Sequence, residues 1–221
     1  RRGYLERIAP AACQSFPGTV VEIGAGKGAL TGFLLGRAGR VIAIELDRRL
    51  TEKLRERFAS DTRLTIVEAD ILQTDLSQWG PVAVAGNLPY YIASPVIEQV
   101  LRLGKLLVTG VFLVQKEVAA RLTAGPGSRD YSLLSVQTQL FASAEILFAV
   151  PRTAFDPPPK VDSAVVRLTP REAPGEDVRD SFLGFARACF RHKRKTLRNN
   201  LGPVYGRTVD ELAEASLRAE Q

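Results

Sequence analysis

The feature that most narrows the fold is a rhythm that begins at Thr19. Short runs rich in β-branched residues, Thr19–Ile23, Arg40–Ile44, Leu64–Glu68, Val82–Gly86 and Leu106–Gln115, alternate with amphipathic stretches at Ala29–Arg37, Arg48–Phe58 and Pro95–Leu103. Strands that alternate with helical crossovers assemble as a mostly parallel sheet, and such a sheet is covered by helices on both faces. The third helix is predicted to open with Ser94 as its N-cap and Pro95 at its first helical position. Beyond the fifth strand, Lys116–Thr123 and Ser132–Phe141 read as helices on either side of a Gly/Pro loop. Two further strand-like runs, Glu145–Val150 and Ser163–Leu168, flank the stiff segment Phe155-Asp156-Pro157-Pro158-Pro159-Lys160 and are expected to close the sheet as an antiparallel edge. The breaker-rich stretch from Pro170 to Glu176 reads as a linker. Val178–Phe190, Lys193–Leu201 and the chain from Val209 onward read as helices.

A chain of 221 residues, 45% hydrophobic and 24% charged, has enough apolar material for a large domain with an appendage, which excludes a disordered chain or a fibre. Apolar runs fall well short of the roughly 20 residues of a membrane span, and the first residues lack the apolar centre of a signal peptide. A soluble, cytoplasmic, monomeric protein with no membrane role is expected. Cys13 and Cys189 are far apart and without metal-site spacing, so they read as small core thiols, and no metal is expected. Trp79 reads as a packed loop residue.

The net charge is +6, and its placement says more than its size. Seven cations and no acid lie between Arg187 and Arg207, while the rest of the chain is close to neutral. A charge run is ordinarily a solvated helix face, but this concentration favours a polyanion contact. Arg191, Lys193, Arg194, Lys195 and Arg198 are therefore the candidate contacts to a polyanion, with His192 a bystander or a phosphate contact.

The first strand runs into Gly24-Ala25-Gly26-Lys27-Gly28 and then a helix. Glycines at such a junction permit a sharp turn and let a ligand approach the main chain. The spacing fits neither the Gly-x-x-x-x-Gly-Lys-Ser/Thr phosphate loop nor the Gly-x-Gly-x-x-Gly dinucleotide fingerprint. Two acids at the ends of the next strands sharpen the reading. Glu45 is placed to accept ribose hydroxyl protons, and Asp70 to accept from an adenine amino group, with Leu46 and Ile71 on either side of the ring. Singly these are ordinary strand-end acids; together with Gly24, Ala25, Gly26 and Gly28 they outline an adenosine pocket.

The fourth strand ends in Gly86-Asn87-Leu88-Pro89-Tyr90-Tyr91. Asn87-Leu88-Pro89-Tyr90 resembles the (Asp/Asn)-x-Pro-(Tyr/Phe) signature of S-adenosylmethionine-dependent methyltransferases that act on exocyclic nitrogens. An adenine N6 lone pair is delocalised into the ring and is a poor nucleophile until its hydrogens are drawn out of the plane. The Asn87 side-chain oxygen and the Leu88 carbonyl, directed by Pro89, can accept those hydrogens, and the Tyr90 ring can stack on the base. Displacement at a sulfonium methyl then needs collinear alignment above all.

Four further motifs narrow the resemblance. Val114-Gln115-Lys116-Glu117-Val118-Ala119, Gly127-Ser128-Arg129-Asp130-Tyr131-Ser132, Phe155-Asp156-Pro157-Pro158-Pro159-Lys160-Val161-Asp162-Ser163 and Arg194-Lys195-Thr196-Leu197-Arg198-Asn199-Asn200-Leu201 are similar to those of the ribosomal RNA adenine dimethyltransferases, bacterial KsgA type. The resemblance covers about Gly18 to Leu201. It implies a Rossmann-like methyltransferase sheet spanning residues 1–172 and a small all-α RNA-binding domain, incomplete, from residue 173 to 221. It implies S-adenosylmethionine as methyl donor and transfer of two methyl groups to each of two adjacent adenosines. The target lies in a hairpin near the 3′ end of small-subunit rRNA, in the immature 30S subunit. Phe155 is implied as the wall that stacks on the target base opposite Tyr90, although packing in the core is the plainer role for such a ring.

Two departures stand out. The Gly-Gln-Asn-Phe-Leu segment that covers the cofactor in this family has no match in Arg1–Ala11, and the chain contains no methionine, so the amino-terminal piece is expected to be truncated. Tyr91 stands where the bacterial type commonly has Asn. The large-subunit rRNA methyltransferases of antibiotic resistance and non-catalytic nucleic-acid-binding proteins of the same fold are the alternatives. Leu88 and Lys160-Val161-Asp162-Ser163 favour the small-subunit type. A nicotinamide dehydrogenase is disfavoured by the glycine spacing.

Overall fold

In the computed structural model, residues 2–14, 18–172, 174–192 and 195–205 are described. Five strands, β1 (Thr19–Ile23), β2 (Arg40–Glu45), β3 (Leu64–Glu68), β4 (Val82–Asn87) and β5 (Leu107–Gln115), pair in parallel. With β6 (Ala142–Val150) and β7 (Ser163–Pro170) they form one seven-stranded sheet in the order β3-β2-β1-β4-β5-β7-β6. The order reverses between β1 and β4, and the crevice at such a switch point is where ligands bind in open α/β sheets.

Side chains alternate across the sheet, as strand geometry demands. Val21, Ile23, Ile42, Ile44, Val82 and Val84 enter one core, while Val20, Val41, Ala83 and Ala85 enter a second on the opposite face. Helix α1 (Arg2–Cys13) covers the second face with Ile8, Ala9 and Ala12 fully buried. Helix α2 (Thr31–Leu35) lies on the same side, and α3 (Arg48–Arg57) packs Leu54 against Ala25 and Ala43. The first core is closed by α4 (Ala93–Leu101), α5 (Lys116–Thr123) and α6 (Leu133–Phe141). Helix α7 (Glu176–Cys189) joins that core through Leu183 and forms a smaller cluster with α8 (Leu197–Tyr205) around Ala188, Cys189 and Leu201.

The doubly wound sheet is as expected, and several boundaries differ for identifiable reasons. The Ser94 cap does not occur: α4 starts at Ala93 with Ile92 as N-cap. Pro95 is tolerated at the third helical position because the first-turn N–H groups have no intrahelical acceptor. Helix α2 begins at Thr31 rather than Ala29, because Gly28, at φ +75°, is still part of the turn and donates its N–H to the Ala25 carbonyl. The antiparallel edge exists, with β7 inserted between β5 and β6, both of which it pairs antiparallel. Strand β6 starts at Ala142, directly at the end of α6, and β7 extends to Pro170, so the expected linker opens one residue later. Helix α8 runs from Leu197 past Pro203 to Tyr205 rather than from Lys193. The helix expected from Val209 lies outside the described residues. Trp79 packs against the first core, Cys189 is buried and Cys13 partly so.

Candidate functional site

The carboxyl ends of β1, β2, β3 and β4 reach a common level, with Ile23 beside Ile44 and Gly86, and Glu45 beside Glu68. Beyond Ile23 the chain turns through Gly24, Gly26 and Gly28, each at positive φ, where a side chain would be strained. Gly28 has a second reason: a Cβ there would stand 2.6 Å from the Phe58 ring and 2.8 Å from Leu54. The loop is pinned from β2, for the Gly24 N–H donates to the Ile44 carbonyl at 2.9 Å and the Gly26 N–H to Glu45 Oε2 at 2.8 Å. Glu45 Oε1 accepts the N–H groups of Leu46 and Asp47 at 2.9 and 3.0 Å. Three of the carboxylate's roughly four lone-pair directions are thus filled, which leaves direct room for one ribose hydroxyl.

Asp70 starts the short turn Ile71–Gln73 and accepts the Leu72 N–H at 2.9 Å and Gln73 Nε2 at 3.1 Å. Ile71 is buried in the first core, whereas Leu46 is largely exposed. Of that pair, Leu46 alone presents an open apolar face.

A cavity of about 250 Å³ opens over the glycine loop. Gly24, Ala25, Gly26, Asn87 and Phe155 line it together, although Asn87 and Phe155 are far apart in the chain. Of the other residues expected at the site, Gly28, Glu45, Leu46, Asp70 and Ile71 do not line it, and neither do Leu88, Pro89 and Tyr90. Asn87 is exposed at the end of β4, and the next residue turns inward: Leu88 is buried and donates its N–H to the Leu113 carbonyl at 3.1 Å. The Pro89 carbonyl accepts from the Ile92 N–H, closing the turn. Tyr90 is held by a 3.1 Å hydroxyl contact with Ser163 of β7. Phe155 follows the short turn Arg152–Ala154, its N–H donating to the Arg152 carbonyl at 3.2 Å, and packs in part against the second core.

Several lining residues escaped the sequence analysis, Tyr4, Leu5 and Glu22 among them. Tyr4 and Leu5 of α1 form one wall. Glu22, fully surrounded in β1, faces the same space, and Thr31 Oγ1 donates to its Oε2 at 2.6 Å. Burial pushes the Glu22 carboxyl up to about 8, and the nearby Glu45 charge adds to the rise. The signal was present, since Glu22 is the one ionisable residue in an otherwise apolar strand.

The described part of the basic run lies at the α7–α8 turn. Arg191, His192, Lys195 and Arg198 are exposed there, while Lys193 and Arg194 lie outside the described residues. The turn is held by buried Asn200, whose Nδ2 donates to the Cys189 and His192 carbonyls at 2.8 and 3.1 Å and whose Oδ1 accepts the His192 N–H. Among the described residues no cluster of His, Cys, Asp and Glu is arranged to hold a metal ion, and no helix is long and apolar enough to cross a membrane.

Residues 5–218 match the family described as ribosomal RNA adenine dimethylase. The chain is 51% identical over 189 residues to a ribosomal RNA small subunit methyltransferase A of Acidobacterium capsulatum, covering 83% of this chain and 67% of that one. It is 42% identical over 227 residues to the protein of that name in Xanthomonas oryzae pv. oryzae, covering 100% and 87%. Among solved structures it is similar to a dimethyladenosine transferase from Plasmodium falciparum, at 32% identity and a TM-score of 0.79 over 96% of this chain and 77% of that one. It is also similar to the 23S rRNA methyltransferase ErmE, at 30% identity and a TM-score of 0.76 over 100% and 91%. Likeness of this extent runs through the glycine loop, the Asn-Leu-Pro-Tyr turn and the basic turn alike, and it makes the chain a member of the ribosomal RNA adenine dimethylase family of methyltransferases.

Proposed function

We propose that the chain transfers methyl groups from S-adenosylmethionine to the N6 atoms of two adjacent adenosines in a hairpin near the 3′ end of small-subunit rRNA, two methyls to each. The substrate is the immature small subunit, met by a monomer in the cytoplasm. The observation that carries this reading is the convergence of Asn87, Phe155 and the glycine loop on one cavity at the switch point of the sheet.

The residues present fit the methyl donor. A loop whose Gly24, Gly26 and Gly28 let a ligand approach the main chain, one open acceptor direction on Glu45, Asp70 and the exposed apolar Leu46 suit the ribose and adenine of an adenosine, and the cavity at the glycine loop suits its amino-acid end. When bound, S-adenosylmethionine supplies an electrophilic methyl on a sulfonium. This chain's own work is positional. Asn87 Oδ1 and the Leu88 carbonyl accept the hydrogens of the target amino group, which raises the electron density on N6. The Tyr90 ring, steadied by Ser163, and Phe155 clamp the base. RNA bases are read in this way when they are turned out of a stack.

Residues 1–172 carry this chemistry, and residues 173–221, which include the helices Glu176–Cys189 and Leu197–Tyr205, grip RNA through Arg191, Lys193, Arg194, Lys195 and Arg198. Phosphate contacts set affinity and its salt dependence. An Arg191→Ala/Lys195→Ala variant is expected to weaken RNA binding and to lower the slope of log K against log salt by about 1 to 2. Affinity for S-adenosylmethionine should stay the same, as read by filter binding across salt and by calorimetry.

The test of function is incorporation of labelled methyl groups into immature small subunits, with the modified adenosines mapped. The likeness to ErmE makes naked large-subunit RNA the necessary second substrate. Methylation of that RNA instead would reverse the choice between the two, and no incorporation into either would remove the enzymatic reading.

A further inference from the structure

The turn that holds Tyr90 also carries the most exposed of the large apolar side chains described, Tyr91, with 84% of its surface open. Its backbone is nevertheless firmly placed. Leu88 and Ala93 on either side are buried, the Ile92 N–H donates to the Pro89 carbonyl at 3.1 Å, and the Ile92 carbonyl accepts the Val96 N–H as α4 begins. Among the described residues the Tyr91 ring takes part in no ring–ring or cation–π contact. The other well-exposed aromatics, Phe182, Phe185 and Tyr205, sit together on α7 and α8. Tyr91 stands apart from them, one residue beyond the group that closes over the target.

A flat ring with a polar tip on a rigid, solvent-facing turn matches one kind of occupant, an unpaired nucleobase. Turning an adenine out into the cavity beside Asn87 strips its neighbour of a stacking partner, and a protein aromatic can replace the lost plane whatever the base. We propose that Tyr91 is the platform on which the nucleobase next to the target adenosine stacks, so that this neighbour stays ordered while the target occupies the cavity. The inference rests on the reading of the chain as an RNA adenine methyltransferase. It makes Tyr91 a positioning residue whose effect falls on RNA affinity rather than on methyl transfer itself.

The test uses the full chain and small subunits reconstituted with an RNA whose target-flanking nucleotide carries its base or is abasic. Tyr91→Ala is expected to raise KM for the intact RNA by roughly 10- to 100-fold. Expected alongside are a kcat within a few-fold of the parent, S-adenosylmethionine affinity unchanged, and Tyr91→Phe and Tyr91→Trp close to the parent. The abasic RNA should cost the parent a similar factor and cost Tyr91→Ala little more, because the two changes remove the same contact. A Tyr91→Ala KM equal to the parent's overturns the proposal. So do losses from the two changes that simply multiply, for the ring then serves something other than the neighbouring base. If the parent chain methylates neither rRNA, the underlying reading fails and the proposal falls with it.

Discussion

Replacing Asn87 with alanine lowers kcat for methyl transfer by roughly 100- to 1,000-fold, the scale on which single preorganised hydrogen-bond partners act in a closed site. The acceptor matters because the nucleophile is an aromatic amine whose lone pair must be drawn out of conjugation before it can attack. Asn87 ends β4 beside Leu113 of β5, and the following Leu88 is anchored by its N–H to the Leu113 carbonyl, so the side chain projects from a fixed strand end into the cavity. Alanine at this exposed position leaves the core untouched, so thermal stability and RNA binding should stay within error of the parent. Asn87→Asp keeps an acceptor oxygen and should retain more activity than Asn87→Ala. Single-turnover rates on immature small subunits measure the chemical step directly. Equal rates for the parent and Asn87→Ala would remove this residue from the reaction.

The sheet was legible because its central strands are short β-branched runs, each followed by a helical pattern, and alternation of that kind permits few topologies. The amino-terminal helix was not, although Tyr4, Leu5, Ile8, Ala9 and Ala12 form a helical stripe. Pro10 sits inside it and argues locally against a helix, and only burial of Ile8, Ala9 and Ala12 against the sheet outweighs that cost. Similarly, Gly28 reads as a last loop residue, but nothing local says that Leu54 and Phe58 of a later element close over it and delay α2. The site was half legible. Asn87, which lines the cavity, announces itself by its position at a strand end, whereas the meeting of Phe155 with Asn87, or of Ser163 with Tyr90, depends on β7 pairing back onto β5. Long-range pairing leaves no periodicity in the chain.

Glu22 was hidden for another reason: a carboxyl inside an apolar strand breaks the pattern and has no local explanation. Its burial yields the second large prediction. Between the ordinary carboxylate range and about 8, the folded protein keeps the Glu22 proton and the unfolded chain does not. Folding stability therefore falls as pH rises through that window, by up to about 1.4 kcal/mol per unit and roughly 5 kcal/mol in all, and the slope from this group ends above about 8. Glu22→Gln preserves shape and an acceptor for the Thr31 hydroxyl, 2.6 Å from the carboxyl oxygen it now meets, but carries no titratable proton. Denaturant midpoints measured from pH 5 to 9 should diverge, with the parent losing stability relative to Glu22→Gln and the variant the more stable at pH 8 to 9. Other groups titrate equally in both chains, so the difference between the curves isolates Glu22. Parallel curves would mean that the carboxyl is already ionised at neutral pH. In that case water reaches it through the cavity it lines, and the floor of the methyl-donor site is negatively charged before any cation arrives.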